Sequence, residues 1–439
     1  MMVVFGFQSL FGYFYLSGGA AIYVIGIFSI GLIAYFSAYY FLGTIKVVGI
    51  SRPTFYWELN EKILALILYV VTTLYFLLFF YIVFSAQKVA LLEAFFGNAT
   101  GSQITEAREM LLNGREGFDR IIPYAFVIFT SVLMPYFLML SFLGKNKFSW
   151  LIFIGFISSL VFSMEKMLIL KAIFPIFVLS INGYQKRRII FLAPLFVACI
   201  LFSMSFMARG VDGRPAVEDS SKSSIMARGV DSMDTVEDSS KSSAVLTSPV
   251  LSTGVAVFQR GHELSLSEHI RKYYPLRGDS TLGQLINRAL WIPYITAYDW
   301  IEFFQEKGGA EYLYGATSSL VSKLRGVPQY PMEENIFKYQ FGENATKTAR
   351  ANVNFMIDAF VNFGWLGVIL VSGFVGASTL FLQKLSNPAA FACFYFFLFQ
   401  LLGGGFLGTF LGGGLFLFLL LIYFVRPPNG FHKRGDISI

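Results

Sequence analysis

The feature that most constrains this chain is a series of long apolar segments that recurs along most of its 439 residues. Several of them approach or exceed the ~18 apolar residues that a helix needs to cross a bilayer. Within lipid, only helices and closed barrels satisfy every backbone polar group, and these segments are unbroken rather than alternating. The sequence therefore predicts an all-α polytopic integral membrane protein.

About ten transmembrane helices are predicted. Four of the candidates contain only 16 residues, and we interpret these as tilted partners, re-entrant segments or wrongly bounded spans. The pair within 149–182 is also a candidate hairpin. The first segment lacks a basic n-region and a small-residue cleavage site, so a removed signal peptide is not expected. The predicted spans are 2–17, 20–43, 63–86, 121–143, 149–164, 167–182, 189–206, 354–383, 388–403 and 406–425.

These spans divide the chain into three parts. Residues 1–206 form an N-terminal bundle of about seven spans with an outer loop at 87–120. Residues 207–353 form a large extracytoplasmic loop with amphipathic helices, and 354–439 hold the last spans and a cytoplasmic tail. The large loop opens with a tandem repeat at 207–243, MARGVDGRPAVEDSSKSS followed by MARGVDSMDTVEDSSKSS. Two such polar copies cannot bury a core, which predicts a duplicated flexible loop; a ligand site in each copy is the alternative.

The net charge of +7 is explained by topology rather than by a nucleic-acid partner. With both termini in the cytoplasm, the inner side carries twelve basic against three acidic residues. The two outer loops are each close to neutral, with four bases against five acids at 87–120 and sixteen against seventeen at 207–353. Basic residues concentrate on the cytoplasmic side of membrane proteins, so nucleic-acid binding is not predicted.

A polar stripe enters the span that begins near residue 354. Arg350, Asn354, Asp358 and Asn362 are spaced four apart, so on a helix they line one slowly drifting face. An ionised aspartate in lipid costs about 3 kcal/mol on insertion scales, so Asp358 should face a polar cavity or a cation. The stripe is interpreted either as a functional cavity wall or as hydrogen-bonding residues that join helices.

A second group of charges interrupts the apolar pattern in SMEKMLILKA at 163–172. If 149–182 is a hairpin, Glu165 and Lys166 lie at its tip and Lys171 lies deeper in the descending segment. Lysines opening to the outer leaflet are suited to a lipid-linked phosphate. Mutual neutralisation of Glu165 and Lys166 at a turn is the alternative.

Aromatic residues are dense from about residue 284, where Trp291, Tyr294 and Tyr298 alternate with charged side chains. This pattern predicts an amphipathic helix at the membrane interface, kinked at Pro293. Its rings either anchor the helix in the aromatic belt or form a platform for sugar rings or lipid.

Glycines of the last span follow a different pattern. Gly404, Gly408 and Gly412 are spaced four apart, which is typical of close helix packing. Metal and nucleotide motifs are missing from the sequence, which has three scattered histidines and neither an H-E-x-x-H nor a Walker motif. Cys199 and Cys393 each lie in a predicted span, and no disulfide is expected.

Three segments resemble the bacterial oligosaccharide repeat-unit polymerases of the Wzy type, which extend O-antigen, capsule or exopolysaccharide chains. They are ENATKTARANVNFMIDAFVNFGWLGVIL at 343–370, FSMEKMLILKAIFPIFVL at 162–179 and INRALWIPYITAYDWIEFF at 286–304. The first resembles the family's acidic residue before an aromatic-glycine descent, and the others its Lys-bearing and Arg-led helices. The ten or so spans and the late outer loop also resemble the family.

The resemblance implies a GT-C-like glycosyltransferase of the bacterial cytoplasmic membrane, independent of metal, nucleotide sugar or other cofactor. Its substrate would be an undecaprenyl-diphosphate-linked oligosaccharide, and a chain-length-regulating membrane protein is a candidate partner. We assign Asp358 as first-choice base, then Glu333 or Glu334, with Arg288 also catalytic. Trp291, Tyr294, Tyr298, Asn354 and Asn362 are candidate ligands of sugar or lipid. Candidate diphosphate ligands are Lys166, Lys171, Arg209, Arg288, Arg325 and Arg350.

Two alternatives remain open at this point. An O-antigen ligase would use similar chemistry and typically an outer-loop histidine; His262 and His269 stand in a polar linker. A transporter or flippase for the lipid-linked unit is a different class, but repeated spans in corresponding halves, which many transporters show, are not evident in the sequence.

Overall fold

The structure is a computed structural model of the chain. It describes residues 19–44, 57–86, 88–96, 103, 107, 110–111, 115, 117–144, 146–162, 166–181, 291–307, 311–341, 350–385 and 387–426. The predicted spans 2–17 and 189–206 and the repeat 207–243 lie outside the described residues.

The described residues form a helical protein with thirteen α-helices. A 3₁₀ turn (Gly117–Ile121) precedes α4, and π-helical turns interrupt the chain at Phe129–Leu133 and Gly408–Gly412. A two-residue parallel pairing joins β1 (Trp57–Glu58) to β2 (Val425–Arg426). The helices are α1 (Gly19–Thr44), α2 (Glu61–Ser85), α3 (Ala90–Phe96), α4 (Ile122–Ile128), α5 (Met134–Leu143), α6 (Ser149–Val161), α7 (Lys166–Ile181), α8 (Ile292–Lys307), α9 (Ser319–Arg325), α10 (Met332–Phe341), α11 (Phe355–Lys384), α12 (Pro388–Leu402) and α13 (Leu415–Phe424).

Four helical stretches are long and apolar enough to cross a membrane, and they confirm four predicted helices. They are α1, α2, the continuous stretch Asp119–Leu143 and α11. Large apolar side chains such as Phe84 and Leu366 point outward from α2 and α11, with 84% and 65% of their surface exposed. Such outward apolar faces are suited to lipid rather than water, since soluble monomers rarely expose apolar surface on this scale. The protein is therefore a helical membrane protein.

The remaining apolar helices are shorter than a bilayer is thick. At 13 residues, α6 is about 20 Å long, against roughly 30 Å of hydrocarbon. The predicted continuous span 406–425 is wrong, because the chain breaks between a π-helical turn and α13. The break falls at Gly414, whose φ of 90° is left-handed and excludes continuation of a right-handed helix.

Asparagine side chains define where three helices begin. Asn60 accepts from the Ile63 N–H at the start of α2, and Asn387 accepts from the Ala390 N–H at the start of α12. Asn354 does the same for α11, accepting from the second and third backbone N–H groups. A capping oxygen satisfies donors that have no partner within the helix, and this is more important in lipid than in water.

The pairing of α1 with α11 joins the N-terminal half to the C-terminal half. Gly376 packs directly on the Tyr35 backbone. Any side chain at this position would collide with the Tyr35 carbonyl oxygen, so the close approach requires glycine. Tyr35 donates to Thr379 Oγ1 at 3.2 Å, and Tyr39 donates to Gln383 Oε1 at 2.6 Å. Small residues and interhelical hydrogen bonds are the usual means of holding membrane helices together. This pairing supports the helix that carries Asp358.

Candidate functional site

The candidate site is built around a break in helix α11. Gly364 has φ 65° and ψ −157°, a conformation that essentially only glycine adopts, so the helical hydrogen bonds stop there. The carbonyls of Val361 and Asn362 accept instead from Leu313 N at 3.1 Å and Tyr314 N at 2.8 Å. The break therefore docks the segment 311–318 beside the first turns of α11.

Docking of this segment brings Thr317 to Asp358. Asn362 orients the segment, since its Oδ1 accepts from the Gly315 N–H at 2.9 Å. Its Nδ2 donates to Asp358 Oδ1 at 2.9 Å, and the Thr317 hydroxyl donates to the same oxygen at 3.3 Å. Asp358 itself is only 4% exposed. The stripe thus acts both as a hydrogen-bonding group and, through Asp358, as part of a cavity wall.

A glycine approaches Asp358 from the other side. A Cβ built on Gly405 would lie 2.8 Å from Asp358 Oδ2, and the backbone N–H groups of Phe406 and Leu407 interact with the same carboxylate. By contrast, a Cβ on Gly408 or Gly412 would meet nothing within 4 Å. Among the described residues, close packing is therefore not seen at Gly408 or Gly412, and the close contact belongs to Gly405.

Helix α10 contributes two further acidic groups. The carbonyl of Glu333 accepts from the Ala351 N–H at 3.0 Å. This hydrogen bond joins α10 to the extended segment that precedes α11. The guanidinium of Arg350, the residue before Ala351, lies 3.9 Å from the Glu334 carboxylate, and both side chains are substantially exposed. Burial raises the pKa of Glu333 above its ordinary value, Arg350 lowers it and Glu334 raises it further.

These groups line one cavity of about 590 Å³, within the usual size range of small-molecule sites. Its uncharged polar lining comes mainly from the start of α9 and the loop after it, and its aromatic lining includes Trp300 and Tyr330. Trp300 is held in place by donating its indole N–H to the Ala351 carbonyl at 2.9 Å. The charged residues of the lining are Lys323, Glu333, Glu334, Arg350 and Asp358. An anion and the hydroxyls of a sugar can both be bound by such a lining.

The other predicted cations lie elsewhere or outside the described residues. Arg325 donates to the carbonyls of Leu313 and Tyr314 and lies over the Tyr314 ring, so it stabilises the docked segment. Lys171 is buried and donates to Ser131 Oγ at 2.8 Å in the π-helical turn Phe129–Leu133. Lys166 begins α7, and its side chain lies outside the description. Arg209 and Arg288 lie outside the described residues.

The three aromatic residues of the predicted interfacial platform lie in the protein interior. Trp291, Tyr294 and Tyr298 are all buried against the protein rather than presented to sugar, lipid or the aromatic belt. Burial raises the pKa of Tyr294 to about 12, as expected for a phenol in the protein interior. Trp291 is π-helical and α8 runs from Ile292, so Pro293 lies close to the junction of the two. The aromatic density is explained by packing.

Two members of the predicted stripe also have other roles. Because α11 begins at Phe355, Arg350 precedes the helix and is not part of a helical face. Asn354 is the capping residue of α11 rather than a ligand that faces outward. Only Asp358 and Asn362 share a helical face, and they are hydrogen-bonded to each other.

Several residues of the cavity were not predicted. Lys323, Thr317 and Gly405 come from three separate places in the sequence, and none of them stands in a recognisable motif. The run Thr317–Ser318–Ser319 is a weak signal, since hydroxyl residues also cap helices and line turns. Within the part of the chain that the structure describes, no three His, Cys, Asp or Glu residues are grouped as a metal site would require.

Comparison with protein-family models, with curated proteins and with solved structures finds no match for this chain.

Proposed function

We propose that this protein is a membrane glycosyltransferase that polymerises undecaprenyl-diphosphate-linked oligosaccharide repeat units. The observation that carries the proposal is a cavity in which two basic residues and three carboxylates meet beside a membrane helix. Four of the five are residues that the sequence singled out, namely Asp358, Glu333, Glu334 and Arg350. We further propose that the protein acts at the outer face of the bacterial cytoplasmic membrane, with both termini inside.

The reaction requires a proton acceptor and a cationic site, and the cavity supplies candidates for each. A hydroxyl of the acceptor sugar attacks the anomeric carbon of the growing glycan, and the bond from that carbon to the diphosphate oxygen breaks. Undecaprenyl diphosphate leaves with the bonding electrons, and Arg350 and Lys323 stabilise its charge. The hydroxyl proton passes to a carboxylate of the lining, either Asp358 or Glu333.

Position in the molecule also supports a lipid-linked substrate. One wall of the cavity comes from the 405–412 segment, which follows the apolar helix α12 and precedes the apolar α13. Asp358 lies in the first turn of α11, before the break at Gly364, and the whole of α11 is long and apolar enough to span the membrane. A diphosphate attached to a polyprenyl chain would reach such a cavity without leaving the bilayer.

Surface glycans of cells with and without the gene test the proposal. After deletion, we expect single repeat units attached to the acceptor, and restored long chains when the wild-type gene is returned. Long chains left on the carrier with none on the acceptor would instead identify a ligase. Units trapped inside the cell would identify a flippase. Unchanged glycans would exclude all three functions.

Arg350→Ala should weaken binding of a lipid diphosphate by about tenfold, because a charge-assisted contact is lost. Arg350→Lys should lose less, since it keeps the charge but not the bidentate geometry. Binding is measured with undecaprenyl diphosphate and purified protein in nanodiscs. Lys384→Ala is the control, because Lys384 donates to the Leu42 carbonyl at the other end of α11. Equal affinity of Arg350→Ala and the control would remove Arg350 from the diphosphate site.

A further inference from the structure

Asp358 faces two parts of the molecule at once. Its Oδ1 accepts from Thr317 and from Asn362, which places that oxygen in the network that docks 311–318. Its Oδ2 would lie 2.8 Å from a Cβ added at Gly405, the first residue of the segment 405–412. The carboxylate therefore joins three pieces of chain that are distant in sequence, and little of it is left exposed to the cavity.

The segment 405–412 forms a wall of the cavity, and we call it the wall segment. One face, which includes Gly408, Leu411 and Gly412, lines the cavity. The other face carries Phe406 and Phe410, whose rings lie 5.9 and 5.5 Å from the Phe374 ring of α11. Glycine residues flank the wall segment on both sides, so its backbone is weakly constrained by its own sequence.

The first backbone N–H groups of the wall segment lie close to the Asp358 carboxylate. The N–H groups of Phe406 and Leu407 lie at the start of a helical turn, where such groups have no partner within the helix. A carboxylate at this position favours the turn through its charge as well as its oxygens. Asp358 thus places a carboxylate from α11 beside the start of the glycine-rich wall segment.

We propose that Asp358 is a positioning residue that holds the wall segment against the cavity, and that it does not receive the proton of the acceptor hydroxyl. The statement about the proton rests on the proposed function, whereas the contact between Asp358 and the wall segment does not. Oδ1 accepts two hydrogen bonds and Oδ2 lies against Gly405, so little of the carboxylate is exposed, whereas a base needs a free oxygen within reach of the proton that it takes. Glu333, on α10, is then the proton acceptor of the same cavity.

Hydrogen–deuterium exchange of purified full-length protein without substrate tests the positioning role directly. In Asp358→Asn we expect amides of the wall segment to exchange about tenfold faster than in wild type, because the negative charge beside the start of the helical turn is lost. Asp299→Asn is a matched control, since Asp299 is also a buried carboxylate but accepts from Gln340, between α8 and α10. Exchange that is unchanged in Asp358→Asn would overturn the proposal.

A glycine pair keeps the test decisive if Asp358→Asn does not fold. Gly405→Ala should displace the wall segment and speed its exchange, because the new Cβ meets Asp358. Gly408→Ala, one turn later in the same segment, meets nothing and should exchange like wild type. Equal exchange in the two variants would also overturn the proposal.

The pH dependence of chain extension separates positioning from proton transfer. If Asp358 positions the wall, Asp358→Asn should lower extension by about 10²-fold and leave the acid limb of the profile where it is. If Asp358→Asn instead removes the acid limb and leaves the amide exchange of the wall segment unchanged, Asp358 is the base. If exchange responds to Asp358 but glycans do not depend on the gene, the wall contact stands and the proposed function fails.

Discussion

Gly364→Ala is expected to destabilise the protein on the order of 3 kcal/mol, the largest stability effect of any single substitution considered for this chain. Two causes act together. The backbone at Gly364 has φ 65° and ψ −157°, which an alanine adopts only with strain. The added Cβ would also lie 2.6 Å from Cζ of Tyr312, in the segment that docks against α11.

Gly373→Ala is the matched control, nine residues further along the same helix. Its Cβ would meet only the Ala38 methyl group at 3.8 Å, an ordinary contact. Apparent unfolding temperatures in detergent, measured at one scan rate because membrane proteins often unfold irreversibly, compare the two variants. If Gly364→Ala unfolds at the temperature of the control, the break in α11 does not hold the docked segment.

Glu333→Gln is expected to lower chain extension by about 10²–10⁴-fold while the protein stays as stable as wild type or becomes more stable at neutral pH. A glutamine cannot accept the proton of the attacking hydroxyl. It also avoids the cost of a charged carboxylate in a partly buried position, which is why burial raises the pKa of Glu333. Loss of activity with retained stability is the signature of a group placed for function.

The sign of the pH effect follows from that raised pKa. Stability from a group with a raised pKa is fully present below the ordinary glutamate value of 4.5 and is lost as pH rises through the folded value. The unfolding temperatures of wild type and Glu333→Gln should therefore agree at low pH and diverge above it, with wild type lower. Glu306→Gln, an exposed carboxylate on α8, is the control and should follow wild type at each pH. A wild type that is the more stable protein at neutral pH would contradict this account.

Four of the membrane helices were predictable from the sequence, and the reason is local. A long apolar run such as 63–86 or 354–383 predicts a membrane helix, because backbone polar groups in lipid must be satisfied within the segment. This requirement depends on the composition of the segment and not on the helices packed against it. The prediction failed at the last span. The apolar sequence is continuous over 406–425, but the helix is interrupted before Leu415. The break depends on Gly414 adopting a left-handed conformation, and glycine permits that conformation without requiring it.

The candidate site was predictable only in part. Asp358 was found because a carboxylate in an apolar helix is costly enough to need an explanation. Tyr294 and Tyr298 were assigned to a platform because aromatic residues suit interfaces and cores equally well, and only burial separates the two. Gly405 gave no signal at all, since its importance is the proximity of a side chain 47 residues away in the sequence.

The amino-acid sequence by itself determined that this is a helical membrane protein, and it selected the buried carboxylate and the acidic pair on which the proposed chemistry depends. The tertiary structure decided which of the charged residues share a cavity, because that depends on the break at Gly364 and on the approach of Gly405 to Asp358. Periodicity and hydropathy are properties of adjacent residues, and they extend along one helix. Convergence of Thr317, Asp358 and Gly405 depends on packing between distant segments, which no local pattern encodes.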